Sequence, residues 1–495
     1  MRPARPHHGI KKKFEGQRHP TKRPQSADMS VVATPDSLRT FATQLLEKEG
    51  LDNRSSRVVA GHLVEANLCG HDSHGVGMLP QYVSSMRRGA AAKSGTGTVV
   101  VERGPILVID ANRSFGQPVV YDALGKAAAA ARVHGMSLLA VRRAHHIGRV
   151  GAYAEQIAAQ NLVCVCFANV NDHPPLVAPF GGSDARGSTN PIAIGVPLID
   201  EVAGDVAQPL VHDFATSFLP LGKVRVAWAR GLKVPKAALL DSAGRPTDNP
   251  QVMFPGCAPG GAYITEERMG ALRAFGEHKG SGLNLACEFM GALAGGGTAA
   301  DTSPNNRTSD RKQSGMNNLL MLVADPAAVG APDFPEEVRR MAEFWAASPP
   351  TSTSPASMSS SSASEGGDDG GDDGVDDRAD ATSSAGSSGG AGAWGRVLLP
   401  GEAERLTAAR RSARGIEIEE STWAALTALA EANVVPLPQV RVGPQQPKLL
   451  VGASTKAPAE AGGVRVSEDL LKRACGLVSV FALGFAAGAL VVRRR

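Results

Sequence analysis

The sequence predicts an α/β protein, and three observations carry that expectation. Amphipathic helical stretches alternate with short apolar runs, as in helices packed over a sheet. Apolar residues fill 42% of the 495 positions, enough for a large core. The six cysteines are too sparse for a disulfide scaffold, so packing must hold the fold and reduced thiols are expected. A net charge of +4 and 4% aromatic residues argue against a nucleic-acid surface.

Residues 1–33 are basic and Pro-rich and lack an apolar core for a secretory signal. They are expected to be a disordered extension; their Arg-rich, acid-poor character leaves mitochondrial association as an alternative. Folding signals begin at Thr34-Pro35, a cap followed by a first-turn proline, with Leu38, Phe41, Leu45 and Leu46 on one face. Gly50 closes that helix, and Val58, Leu63, Val64 and Leu68 mark a second. Further helices are expected over 123–133, 150–160 and 282–293, and strands over 136–141, 162–169 and 318–324. Residues 191–197 read as extended. The catalytic region then covers 34–347 and 396–435, with its cofactor-binding core at about 100–330.

Between 348 and 395 the composition collapses to Ser, Gly, Asp and Ala, which predicts a disordered acidic insertion. Helices resume through Arg411 and over 421–432, before a linker at 436–473. Residues 474–492 carry no charge and are flanked by Lys472-Arg473 and Arg493-Arg494-Arg495. That length and those flanks predict a membrane anchor, with the catalytic part facing the cytoplasm.

Three clusters place histidine among glycines at element boundaries: Gly70-His71-Asp72-Ser73-His74-Gly75, Ala144-His145-His146-Ile147-Gly148-Arg149, and Gly276-Glu277-His278-Lys279-Gly280. Backbone can approach a ligand closely there, and helix N–H groups point outward. No His-Glu-x-x-His or comparable carboxylate pairing occurs, so no metal site is expected. No Gly-x-Gly-x-x-Gly follows an apolar, strand-like run, so a conventional dinucleotide fingerprint is missing. Residue chemistry alone reaches a ligand-binding α/β enzyme using histidine as acid and base, with the reaction open.

The ordered set of motifs decides more. Ala66-Asn67-Leu68 precedes the first histidine cluster. Val177-Ala178-Pro179-Phe180-Gly181-Gly182, Thr189-Asn190-Pro191, Asp213-Phe214-Ala215-Thr216-Ser217 and Leu398-Leu399-Pro400-Gly401-Glu402 surround the other two. With these the chain resembles the type-2 malate/L-lactate dehydrogenases, and looks closest to their hydroxycarboxylate dehydrogenase B branch. The resemblance implies a non-Rossmann α/β fold: a mixed-sheet cofactor domain plus a helical domain built from the N- and C-terminal segments. It implies hydride transfer between NAD or NADP and the CH–OH group of a small-molecule 2-hydroxy acid, in a homodimer.

Role by role, the resemblance makes His146 the acid/base. His74 would lie at the cofactor, Gly148, Arg149 and Val150 at its phosphates. Val211, His212, Asp213, Phe214 and Ala215 would line it, with His278, Asn317 and the turn Gly401-Glu402-Ala403-Glu404. Asp213 reads equally well as a structural carboxylate. Tyr82 would contact substrate. Met78 stands where many relatives carry a carboxylate-binding arginine, which implies a larger, less polar acid than malate, with Arg149 supplying the missing charge. Ser188 adds a side chain where the family has glycine. Alternatives are a cyclic-imine carboxylate reductase or ureidoglycolate dehydrogenase of the same family, or a non-catalytic membrane-anchored scaffold.

Overall fold

The computed structural model describes residues 29–198, 208–229, 231–255, 269–302, 315–349 and 396–444. The N-terminal part runs β1 (Met29–Ala33), α1 (Pro35–Lys48), α2 (Asn53–Leu68), α3 (Leu79–Arg87), β2 (Thr98–Arg103) and β3 (Ile106–Asp110). The middle runs α4 (Gly116–His134), β4 (Met136–Ala144), α5 (Gly151–Ala158), β5 (Val163–Asn171), β6 (Val177–Ala178), β7 (Ile192–Val196), β8 (Leu210–Phe214) and α6 (Leu221–Ala229). Then come β9 (Leu239–Leu240), β10 (Pro246–Thr247), β11 (Ala271–Arg273), α7 (Glu277–Leu293), β12 (Met316–Ala324) and α8 (Phe334–Ala346). The last elements are α9 (Glu402–Arg414), β13 (Ile416–Ile418), α10 (Glu420–Asn433) and β14 (Val440–Pro444).

The local signals at the start hold. Thr34 Oγ1 accepts from the Ser37 amide at 3.3 Å, Pro35 takes the first helical turn, and Gly50 follows α1 with φ +94°. Asp52 caps α2 by accepting the Ser55 amide at 2.9 Å.

The main sheet has the order β2-β3-β4-β12-β5-β7-β8. β3 and β4 run parallel, joined by the α4 crossover, and the other neighbours pair antiparallel. Alternation along the central strands sends Leu139, Val141, Leu319 and Met321 to the face under α4 and α5. Ala140 and Leu320 face the other side, against Met290 and Ala294 at the C-terminal end of α7. A second core joins Leu38, Phe41 and Leu45 of α1 to Ile416, Ile418, Leu426 and Ala430. N- and C-terminal segments therefore build one helical unit, as the resemblance implies. A third, smaller core surrounds Trp228 and Phe254, whose rings stack at 4.4 Å.

Four boundaries differ from the sequence reading. Met29–Ala33, inside the stretch expected as extension, is a strand between β13 and β14, and β14 itself falls where a linker was expected. Five residues carry no periodicity strong enough to announce a strand whose partners lie at the far end of the chain. Helix α7 begins at Glu277, five residues before the expected start. Gly280 lies in its first turn, where a Cβ would sit 1.7 Å from the Phe275 carbonyl oxygen, so close packing requires glycine. Helix α4 likewise starts earlier, at Gly116. No helix among the described residues is long and apolar enough to cross a membrane. Residues 474–492, the acidic stretch 350–395 and the extra residues at 256–268 lie outside the described residues.

Candidate active site

His146 sits in the loop between β4 and α5, and distant side chains bind alternate amides of that loop. The Ile147 amide donates to Asn317 Oδ1 at 3.2 Å, the Arg149 amide to His62 Nε2 at 2.8 Å, and the Gly151 amide to Asp213 Oδ2 at 2.8 Å. Asn317 comes from β12, His62 from α2 and Asp213 from β8. The Tyr153 hydroxyl also donates to the Ile147 carbonyl. Gly148 has φ +71°, and a Cβ on it would meet His62 Nε2 at 2.2 Å. Only glycine satisfies both constraints.

The His146 ring is held as firmly. Its Nδ1 lies 2.6 Å from the Tyr82 hydroxyl, which is 2.9 Å from Gln117 Nε2. His74 stacks on it, with ring centroids 5.5 Å apart and planes 15° apart. His145 is fully buried, edge-on to Phe115 and Tyr82. Burial holds His146 well below the ordinary histidine value, reinforced by the neighbouring His74, His145 and His62. Burial also pushes His62 and His145 down to about 3 and His74 down to about 4. All four rings are neutral at pH 7, the state that lets His146 accept a proton.

A small cleft adjoins this loop, lined among others by Cys69, His71, Arg149, Asp213, Gly401 and Glu404. The Gly401 turn docks on β8: the Val211 amide donates to the Pro400 carbonyl at 3.3 Å, and Gly401 has φ +87°. The opposite wall is the His71–His74 loop, tied down by Asp72, which accepts from Asn67 at 2.7 Å and from both terminal nitrogens of Arg411 at 2.7 and 3.0 Å. His71 Nε2 reaches Glu404 at 3.5 Å across the cleft. Arg149 is buried and paired to Glu155 at 3.0 Å, yet its Nε has no partner among the described residues. A sealed guanidinium with an unspent N–H suits an anionic ligand.

Several expected roles change with the geometry. Tyr82 is fully buried and its hydroxyl is committed to His146 and Gln117, so it supports the imidazole and offers the substrate no surface. Asn317 and Asp213 accept amides of the His146 loop. Of Gly148, Arg149 and Val150, expected at the cofactor's phosphates, Arg149 has its amide already bonded to His62. Arg149 lies with Glu155, Asp213 and Glu404 around the cleft. Glu402 pairs with Arg396 at 3.0 Å and accepts the Leu399 amide at 2.7 Å. Met78 is half-buried against the helical core. His278 is exposed beside Phe180, ring centroids 5.8 Å apart, and His212 is exposed and stacked on Phe214 at 4.5 Å. Val150 is buried; Ala215 and Ala403 are half-buried.

His62 and Gln117 escaped the sequence reading. The available signal was a polar residue at core spacing: His62 falls on the α2 face that buries Val59, Leu63 and Ala66.

Comparison with known proteins agrees with this arrangement. The family model described as malate/L-lactate dehydrogenase matches residues 33–363. Hydroxycarboxylate dehydrogenase B of Escherichia coli K12 is 32% identical over 390 residues, covering 79% of this chain and 91% of that protein. The chain belongs to the malate/L-lactate dehydrogenase family. L-lactate dehydrogenase of Cupriavidus necator is 34% identical over 59% of this chain and 77% of that protein. Among solved structures, a dehydrogenase from Sinorhizobium meliloti matches at TM-score 0.62 and 29% identity, covering 81% of this chain and 98% of that one. The protein is an oxidoreductase acting on 2-hydroxycarboxylates, in a family of nicotinamide-dependent dehydrogenases.

Proposed function

We propose that this dehydrogenase interconverts a bulky, singly charged 2-hydroxy acid and its 2-oxo acid, with His146 as the acid/base and NAD as the preferred cofactor. The neutral, pinned imidazole of His146 carries the reading. A bound nicotinamide nucleotide supplies the hydride acceptor. His146 takes the hydroxyl proton as the C–H bond breaks and returns it in reduction. Asn317, His62 and Asp213 keep the imidazole in place, while Arg149 and the Gly401 turn are positioned to hold the nucleotide.

Four carboxylates (Glu65, Glu155, Asp213, Glu404) and two guanidiniums (Arg149, Arg405) line the cleft. That balance repels the additional dianion of a 2′-phosphate and favours NAD. Met78 supplies an apolar wall where an arginine would clamp a second carboxylate. Steady-state assays of a 2-oxo acid panel with NADH and NADPH test both points. An aryl or branched acid with NADH should lead. Met78→Arg should shift preference toward short dicarboxylates by about 10-fold or more. An unaltered substrate ranking sinks the Met78 assignment.

We also infer a homodimer. Leu285, Phe289 and Leu293 form an exposed stripe on α7, and Met341, Phe344 and Trp345 another on α8. Six large apolar side chains left in water match a covered surface better than a free one. Sedimentation velocity should give a dimer, and Phe289→Glu with Phe344→Glu should give monomers; a monomeric wild type refutes it.

A further inference from the structure

We propose that Gln117, acting through Tyr82, sets the tautomer of His146: its amide carbonyl accepts the Tyr82 hydroxyl, so that Tyr82 in turn accepts Nδ1–H and Nε2 is left as the proton-accepting nitrogen. The inference rests on the dehydrogenase reading and adds to it a positioning residue.

The three groups form a chain across the β4–α5 loop, α3 and α4, His146 Nδ1 to Tyr82 Oη at 2.6 Å and Tyr82 Oη to Gln117 at 2.9 Å. Gln117 and Tyr82 are both fully buried, and a glutamine sealed from water is uncommon. As placed, Nε2 of the amide faces the phenol and Oε1 has no partner among the described residues. A half-turn of the terminal amide exchanges the two atoms at constant shape.

Proton counting separates the two settings, because a phenol carries one proton. With the amide nitrogen donating, the Tyr82 proton finds no acceptor but Nδ1 among the described residues. The neutral ring then holds its own proton on Nε2 and has no free nitrogen for the substrate. Protonating it further would force the phenol proton elsewhere or leave a phenolate, and burial holds the Tyr82 phenol well above its ordinary value. With the carbonyl accepting, Nδ1–H donates to Tyr82 and the phenol donates to Gln117. Nε2, which has no partner among the described residues, takes the alcohol proton while hydride leaves the carbon for the bound nicotinamide. The same hydrogen bonds serve imidazole and imidazolium, so the cycle needs no rearrangement. The other titratable rings packed around His146 are His74, His145 and His62, which are neutral at pH 7.

Two readouts test this on the full-length protein. In 15N-histidine NMR, with the His146 signal assigned by its loss in His146→Ala, wild type should show the Nδ1–H form. Gln117→Glu, which accepts through a carboxyl oxygen, should keep it, and Gln117→Leu should move the population toward Nε2–H. In kinetics, Gln117→Leu should lose about 10-fold or more in kcat/KM for oxidation. Gln117→Glu should stay active with its acid limb moved to higher pH by the added negative charge. In a Tyr82→Phe background, Gln117→Leu should cost less than about 2-fold, because Gln117 acts only through the phenol. An Nε2–H wild type, or a Gln117→Leu loss undiminished in that background, overturns the proposal. Protein inert toward every oxo acid refutes the dehydrogenase reading instead, and the NMR result still decides the tautomer.

Discussion

His146→Ala should lower kcat for 2-oxo acid reduction by about 10²- to 10⁴-fold while leaving NADH binding, followed by fluorescence, within about 2-fold of wild type. The separation follows from position. The imidazole touches Tyr82 and His74 but makes no backbone contact that holds the loop; those belong to Asn317, His62 and Asp213. The loop and the cleft should survive the truncation. The pH profile supplies a sign. Oxidation needs the neutral ring, and burial holds the His146 pKa below the ordinary value. Wild-type oxidation should therefore persist as pH falls through 6.5 and drop only at more acid pH, whereas reduction, which consumes the imidazolium, should gain there. His146→Ala should flatten both limbs. A variant turning over at wild-type speed removes His146 from the chemistry.

Gly148→Ala should be the most damaging small substitution in the loop. An alanine at φ +71° is strained, and its Cβ would lie 2.2 Å from His62 Nε2. Relief requires breaking the 2.8 Å bond between the Arg149 amide and His62, leaving a buried donor and a buried acceptor unpaired. Together these costs come to about 2–4 kcal/mol of stability. Moving His146 by even about 1 Å should reduce kcat about 100-fold. Thermal unfolding and steady-state kinetics on the one variant check both effects. Wild-type Tm and kcat would show that the loop is held by something other than these amide contacts.

How far the sequence can be read differs between fold and site. The α1 helix is legible to the residue, because Thr34, Pro35 and Gly50 act on their immediate neighbours. The apolar runs that mark β4, β5 and β12 are equally local, since a strand buried on both faces must be apolar nearly throughout. Strand β1 was not legible. Its five residues are stable only because Ile416–Ile418 and Val440–Pro444 pair on either side. The start of α7 was not legible either, since a packing glycine inside a helix, such as Gly280, and a loop glycine look alike in sequence.

Within the site, the ordered motifs picked out His146, His74 and Asp213 as functional positions, and Asp213 turned out to act on the loop backbone. His62 and Gln117 belong to no motif, and Tyr82 was read as a substrate contact.

The amino-acid order by itself determined the first helices, the central buried strands and the family, and singled out the histidine proposed as acid/base, because caps, periodicity and motifs are properties of neighbouring residues. Tertiary structure alone decided what holds that histidine. The partners of its loop amides and ring nitrogen come from α2, α3, β8 and β12, with Gln117 from α4 behind the phenol. A hydrogen bond is selected by which groups packing brings within about 3 Å, a distance that spacing along the chain does not encode.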